Sequence, residues 1–169
     1  MHVKKLTRMA LLTAVALIIF MVEAQIPPIV HSPGVKLGLS NFVTVFAVFQ
    51  MGPREAAAIL AARIFLGAVF SGNMATIFYS AGGGLLSILL TIGLKHILTV
   101  RQIWVAGVLG AIAHSVGQIL VDVLLTVTPG LFINLPIMIV CSIITGLFTG
   151  LCAQALCNRK DSIWKTTSK

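Results

Sequence analysis

Charged side chains are scarce in this sequence of 169 residues, making up only 9% of it against 58% hydrophobic residues. A water-soluble domain of this size would have about a quarter of its residues charged. Six apolar runs follow one another with short connections, and a helical run of ~20 residues crosses the ~30 Å hydrocarbon core of a bilayer. The sequence therefore predicts an all-α integral membrane protein without a separate soluble domain.

Acidic residues are scarcer still, numbering four, and the two aspartates, Asp122 and Asp161, lie far apart in the sequence. Magnesium-dependent chemistry on diphosphates needs clustered carboxylates to hold the metal. The sequence also has no Gly-x-Ser-x-Gly motif, no Cys–His arrangement, and no second histidine on the helix face of His114. It predicts that the chain is not an enzyme by itself and has no catalytic residue, metal site or cofactor.

Cysteine is also rare, with Cys141, Cys152 and Cys157 all in the last apolar run or at its end. An odd number of cysteines within lipid argues against a disulfide framework or a zinc site. The net charge of +8 could suggest nucleic acid as a partner. The basic residues lie between the apolar runs, however, as topology signals do, and we expect no nucleic-acid partner.

The basic residues fall almost entirely on one side of the membrane if the chain is a single domain, residues 1–169, that crosses six times. The expected spans are 6–24, 37–51, 54–70, 75–94, 103–127 and 131–156. With the N-terminus inside, ten of the twelve lysines and arginines are internal: Lys4, Lys5, Arg8, Arg54, Lys95, Arg101, Arg159, Lys160, Lys165 and Lys169. The positive-inside rule then predicts a multi-pass cell-membrane protein with both termini cytoplasmic. A signal peptide is the alternative for the first run.

Small residues and prolines mark where the expected helices pack closely or end. Ala10 and Ala14 form a small-xxx-small pair, and so do Gly146 and Gly150. The Gly82–Gly84 run inside the fourth span predicts either close helix packing or a local break. The first outer loop, 26–36, contains three prolines and cannot form a regular helix. The second span is short, which predicts a recessed outer end.

The polar residues within the apolar runs are concentrated towards the outer side. His114, Gln118 and Asp122 are spaced four residues apart, which places them on one helix face. Arg63 is the most costly residue to place in lipid, and its guanidinium suits a carboxylate or phosphate. These residues and their neighbours predict an outward-facing cavity that binds a small ligand. Its candidate residues are Lys36, Asn41, Arg63, Asn73, His114, Gln118 and Asp122.

Two other interpretations of this polar group remain open. Arg63 could snorkel to the interface or pair with Glu23 or Asp122. The whole group could also be a network of ion pairs and hydrogen bonds that only locks the helices together. His114 by itself is more typical of a buried neutral imidazole than of a ligand contact.

Residues 6–156 resemble the family known both as heptaprenyl diphosphate synthase component I and as Gx transporters. The resemblance rests on several motifs in order: Ala10-x-x-x-Ala14, the segment 33–41 that ends at Asn41, the segment 63–67 that starts with Arg63, Gly72-Asn73, the segment 82–85, the segment 113–118 and Pro136. The family is similar to the substrate-binding S-components of energy-coupling-factor vitamin transporters.

That resemblance implies six spans, an N-terminus inside, and docking through Ala10 and Ala14 on a membrane coupling subunit driven by two ATPases. It also implies that the first outer loop closes over the ligand. An isoprenoid, quinone-precursor or flavin-related ligand is implied by relatives linked to electron export. The alternative implied by the family name is a non-catalytic membrane subunit of a soluble prenyl synthase, acting in isoprenoid or menaquinone biosynthesis or in extracellular electron transfer.

Overall fold

The chain is all-helical throughout the part that the structure, a computed structural model, describes: residues 3–25 and 38–167. Six α-helices and two short 3-10 helices follow in order. The α-helices are α1 (Val3–Glu23), α2 (Asn41–Gln50), α3 (Pro53–Ser71), α4 (Thr76–Lys95), α5 (Ile103–Thr126) and α6 (Leu135–Thr167), and the 3-10 helices are Val100–Gln102 and Pro129–Asn134. Lys36 and the first outer loop lie outside the described residues.

Glycine and proline set the ends of the helices around α3. Gly52 has a φ of 113° and is followed by Pro53 at the first position of α3, where the missing N–H of proline costs no hydrogen bond. Gly72 ends α3 in the left-handed region with a φ of 65°, a conformation that glycine adopts without a Cβ clash. Both turns reverse the chain within a few residues.

The short helix α2 lies at the centre of the bundle. It packs against each of the other five helices, while those five pack in the order α1, α3, α4, α5, α6. No residue of α2 is exposed, and an apolar helix without a polar face is stable only when it is enclosed in this way. Among the described residues α6 and α1 do not contact each other, so the outer helices form an incomplete ring around α2.

Glycines allow α5 to approach both of its neighbours closely. A Cβ at Gly107 would lie 2.4 Å from Cα of Gly150 on α6 and 2.8 Å from the carbonyl oxygen of Gly146. On the other side, a Cβ at Gly117 would lie 2.5 Å from the carbonyl oxygen of Gly82 on α4. The Gly82–Gly84 run therefore serves close packing within a continuous helix, which decides between the two interpretations that the sequence left open.

The outer surface of the bundle is apolar, as in a membrane protein. Exposed large side chains include Phe65, Phe78 and Leu124, and four helical segments are long and apolar enough to cross a membrane. Those segments are Val3–Glu23, Thr76–Lys95, Val100–Thr126 and Pro129–Arg159. A count of six spans stays a prediction, because α2 has only 10 residues and α3 contains Arg54, Glu55 and Arg63.

The helix bounds differ from the expected spans at α2 and α6. The helix predicted over 37–51 is shorter, because Gly38 precedes it with a φ of 76° and Gly52 follows it with a φ of 113°. The helix predicted over 131–156 starts later, after the 3-10 turn that follows Pro129, and continues to Thr167. The predicted span ended at 156 because the apolar run ends there. The helix continues because no glycine or proline interrupts it at that point.

Basic side chains gather at one end of the bundle, called here the basic end and defined by Lys5, Arg54, Lys95 and Arg101. Lys5 at the start of α1 forms an ion pair with Glu55 at the start of α3. Lys95 at the end of α4 donates a hydrogen bond of 2.7 Å to the carbonyl oxygen of Val48, near the end of α2. These contacts hold the start of α1 beside the start of α3, and the end of α4 beside the end of α2. They therefore distinguish the basic end of the bundle from the opposite end.

Candidate functional site

Two stripes of residues at four-residue spacing face each other across α4 and α5, which run in opposite directions. Residues four apart in a helix lie on the same face. The stripe on α4 consists of Tyr79, Gly83, Ser87 and Thr91, and the stripe on α5 consists of Gly110, His114, Gln118 and Asp122. Every one of these residues is buried, so the two stripes bring polar groups together inside an apolar bundle.

Contacts between the stripes fix their register. The Tyr79 hydroxyl lies close to the Asp122 carboxylate, whose negative charge acts on it. One turn further along α4, a Cβ at Gly83 would lie 2.9 Å from both Cε1 of His114 and Cγ of Gln118. The missing side chain of Gly83 therefore leaves room for the imidazole and the amide that α5 presents.

Further along the two stripes, the amide side chain of Asn41 on α2 lies beside residues of both α4 and α5. Ser87 donates a hydrogen bond of 2.8 Å to Oδ1 of Asn41. A Cβ at Gly110 would lie 3.2 Å from Nδ2 of Asn41, from Oγ of Ser87 and from Oγ1 of Thr91. Asn41 is thus enclosed by hydroxyl groups on α4 and by the backbone of α5.

Arg63 extends the polar region to α1 and α3. The side chain is only 3% exposed, and its guanidinium carbon lies 5.5 Å from the centre of the Phe20 ring. Glu23, also buried, is the acidic group whose charge acts on Arg63, and the charge of Arg63 in turn acts on His114. A cation over an aromatic face and near a carboxylate recovers part of the cost of removing it from water.

Gly38 connects Glu23 with His114 at the start of the α2 region. Its backbone N–H donates a hydrogen bond of 2.5 Å to Oε1 of Glu23. A Cβ on Gly38 would lie 2.9 Å from Cδ2 of His114. Nδ1 of His114 is buried and forms no hydrogen bond with any of the described residues. A buried ring nitrogen in this state can accept or donate one further hydrogen bond.

We refer to these residues together as the polar cluster. Its members are Glu23, Asn41, Arg63, Tyr79, Ser87, Thr91, His114, Gln118 and Asp122. Five helices contribute to it, and its ionisable groups extend from the middle of the bundle towards the end opposite the basic end. It offers a guanidinium, two carboxylates, an imidazole, amides and hydroxyls, which can bind a polar group that both donates and accepts hydrogen bonds.

The structure locates all but one of the residues predicted to bind a ligand. Asn41, Arg63, His114, Gln118 and Asp122 lie in the polar cluster, and Lys36 lies outside the described residues. Asn73 is exposed at the turn before α4, where its Oδ1 accepts a 3.0 Å hydrogen bond from the N–H of Ala75. This contact gives Asn73 a structural role at the start of α4. Ligand binding by any of the seven residues remains a prediction.

Tyr79, Ser87 and Thr91 were not among the site residues predicted from the sequence. The signal was present, because Tyr79, Gly83, Ser87 and Thr91 repeat the same four-residue spacing that identified His114, Gln118 and Asp122. Tyrosine and hydroxyl residues are common in membrane helices, so their spacing is informative only beside a matching stripe on a neighbouring helix. Phe20 gave no such signal.

Two further predictions concern α1 and metals. Ala10 and Ala14 are both exposed on α1, next to the exposed Leu11, and docking of a partner there remains a prediction. Among the described residues no group of three or more His, Cys, Asp and Glu side chains is placed to hold a metal ion.

The helices and the polar cluster define the class of protein: an apolar helical bundle of membrane type with a polar cluster buried inside it. The family model described as heptaprenyl diphosphate synthase component I matches residues 12–156. The chain belongs to that family. No curated protein and no solved structure matches the chain.

Proposed function

We propose that the chain is the membrane-embedded, ligand-capturing subunit of a transporter similar to the energy-coupling-factor type. The polar cluster would bind a small ligand with an anionic group, through Arg63 and the hydrogen-bonding groups of Asn41, His114 and Gln118. The observation that carries the proposal is the convergence of Arg63 from α3 and His114 from α5 in one buried cluster.

Binding explains features of the polar cluster that a purely structural network does not require. Burying several ionisable groups in one half of a membrane bundle costs free energy, and apolar residues would hold the helices together at least as well. Nδ1 of His114 is buried and forms no hydrogen bond with the described residues, so one hydrogen-bonding position of the imidazole is unused by them. Gly38 and Gly83 pack directly against the imidazole, where a Cβ would lie 2.9 Å from Cδ2 and from Cε1, respectively.

Transport would require partners, because the chain has no nucleotide-binding motif of its own. An energising module with a membrane coupling subunit and two ATPases is the proposed partner. It would dock on α1, where Ala10 and Ala14 are exposed and allow another helix to approach closely. With both termini in the cytoplasm, the basic end would face inward and the ionisable half of the polar cluster would face outward.

The proposal is tested by native mass spectrometry of the gently purified protein. We expect a retained small molecule in the wild-type protein and at least a tenfold loss of it in Arg63→Ala, with partial retention in Arg63→Lys. Ser142→Ala is the matched control, because Ser142 is buried and bonds Ser115 at 2.6 Å on the α5–α6 side. Undiminished retention in Arg63→Ala would show that the site is assigned wrongly.

A second candidate function follows from family membership. The chain would be a non-catalytic membrane subunit that supports a soluble prenyl synthase carrying the aspartate-rich motifs this chain lacks. This function predicts that the soluble subunit forms its product only when this chain is added in a membrane or detergent. Full activity of the soluble subunit alone would exclude it.

A further inference from the structure

The incomplete ring of outer helices leaves one face of α2 in a recess. On α2 the rings of Phe42, Phe46 and Phe49 fall within about 60° of one another at 100° per residue. We call these three residues the aromatic stripe. They are partly exposed, whereas Val43, Val45 and Ala47 on the other faces are buried.

The neighbours of α2 show that the aromatic stripe faces the space between α1 and α6. On one side of the stripe, Val45 packs with Ala153 and Cys157 of α6. On the other side, Val43 and Ala47 pack with Ala16 of α1 and with α3. Since α1 and α6 do not contact each other among the described residues, the stripe forms the floor of a groove between them.

The groove is recessed and is not ordinary lipid-facing surface. Phe65, Phe78 and Phe148 on the outer helices are exposed by 62%, 58% and 67%, while the rings of the aromatic stripe are partly buried. Phe42 and Phe46 also stack on each other, with their centres 6.4 Å apart. The stacked rings lie along the floor of the groove, which is apolar and about as long as the ~15 Å helix beneath it.

The aromatic stripe begins at the same end of α2 as the contacts with the polar cluster. Asn41, which bonds Ser87 in the cluster, is the residue before Phe42. Gly38, which bonds Glu23 and contacts His114, lies one turn earlier. One molecule could therefore place a polar head in the cluster and a hydrocarbon chain along the aromatic stripe.

We propose that the groove between α1 and α6 binds the hydrocarbon chain of an amphiphilic ligand whose polar head occupies the polar cluster. This inference rests on the proposed function for the position of the head. It gives the ligand a chemical class, a single-chain amphiphile with an anionic head, and a lateral route of entry from the bilayer between α1 and α6.

Matched alkyl phosphates test the chain and the head separately. In nanodiscs, we expect dodecyl phosphate to bind at least tenfold more tightly than butyl phosphate at equal free concentration in water, because the longer chain removes more apolar surface from water. Phe46→Ala should reduce that chain-length gain about tenfold and leave butyl phosphate binding unchanged. The control, Phe78→Ala, removes an exposed ring of α4 and should preserve the gain. Phe46→Leu, which keeps an apolar side chain, serves if Phe46→Ala does not fold.

Photo-crosslinking locates the chain without any substitution. Dodecyl phosphate with a diazirine at the chain end should label the peptide that contains the aromatic stripe, and excess phosphatidylglycerol should not compete with it. Labelling spread evenly over the exposed faces, or abolished by phosphatidylglycerol, would indicate ordinary lipid contact only and overturn the proposal.

The same probes separate failure of the groove from failure of the polar cluster. Butyl phosphate binding that depends on Arg63, without labelling of the aromatic stripe, would overturn the groove and leave the proposed function in place. Labelling of the stripe that persists in Arg63→Ala would support the groove and remove the head from the polar cluster.

Discussion

Gly83 on α4 lies directly against His114 on α5. A Cβ at Gly83 would be 2.7 Å from the carbonyl oxygen of His114 and 2.9 Å from Cε1 of its ring. The first of these atoms is backbone and cannot move without moving α5. The position of the imidazole in the polar cluster therefore depends on the absence of a side chain one helix away.

Gly83→Ala should accordingly destabilise the protein, although alanine is the better helix former. We expect a loss of about 1–3 kcal/mol, the usual cost of an additional methyl group in a close-packed interior. The measurement is thermal unfolding in detergent. Gly93→Ala is the control on the same helix, since a Cβ there meets no atom within 4 Å, and it should be neutral or stabilising by up to about 1 kcal/mol. Equal effects of the two changes would contradict the packing role of Gly83.

The sequence predicted the bounds of most helices closely, because the ends of those apolar runs coincide with helix-breaking residues. The span predicted over 103–127 corresponds to α5, Ile103–Thr126, and the span predicted over 54–70 corresponds to Pro53–Ser71. It could not predict that α2 is central, because hydropathy measures how apolar a helix is and carries no information on which helices surround it. Both lipid and neighbouring helices accept the same apolar residues.

The candidate site was predictable only where spacing or cost revealed it. His114, Gln118 and Asp122 were identified by their four-residue spacing, and Arg63 by the cost of burying its charge. The sequence left Glu23 and Asp122 as alternative partners of Arg63. Which of them acts on Arg63, and the position of Tyr79 beside Asp122, depend on helix rotation and register. Those quantities are set by glycine contacts such as Gly82 with Gly117, which a single sequence does not pair.

The hydrogen bond between Ser87 and Asn41 should make a measurable but modest contribution to stability. In a double-mutant cycle with Asn41→Ala and Ser87→Ala, we expect a coupling of about 0.6 kcal/mol, and at most about 1.7 kcal/mol, as found for hydrogen bonds within membranes. The measurement is unfolding of the four proteins in the same detergent. A cycle between Asn41 and Ser142, which lies on the α5–α6 side, should give additive effects. Strict additivity for Asn41 and Ser87 would contradict the contact.

The ion pair between Lys5 and Glu55 should contribute little. Lys5 is 44% exposed at its side chain, and exposed pairs typically contribute 0–1 kcal/mol, roughly, because water and salt screen them. We expect Lys5→Ala and Glu55→Gln to lower the melting temperature in detergent only slightly, with a smaller effect at high salt. A large loss of stability in Lys5→Ala alone would show that this contact holds α1 in place.

The basic end should face the cytoplasm. Single cysteines can be introduced at Met74, exposed in the turn between α3 and α4, and at His96, exposed after α4, in a chain whose three native cysteines are replaced by alanine. A membrane-impermeant maleimide applied to intact cells should label Met74→Cys and leave His96→Cys unlabelled until the membrane is permeabilised. The reverse pattern would invert the orientation, and with it the side from which the polar cluster is reached.

Substitutions at Arg63 and Glu23 can distinguish ligand binding by the guanidinium from a purely structural pairing of the two residues. Arg63→Met leaves the buried Glu23 without its neighbouring cation, and removing one member of a buried charge pair costs about 3–5 kcal/mol. Adding Glu23→Gln removes the carboxylate charge on which Arg63 acted and keeps an oxygen that can accept the Gly38 N–H, so the double variant should recover most of the lost stability. Thermal unfolding in detergent measures the recovery.

Ligand retention in the same two variants then decides between the open interpretations of the polar cluster. If Arg63 binds the anionic group of a ligand, the stable double variant should still lose the small molecule retained by the wild-type protein, as measured by native mass spectrometry. Glu23→Gln alone is the control, because it keeps the guanidinium and should retain the molecule. A double variant that is stable and fully loaded would mean that Arg63 and Glu23 only hold α1 against α3.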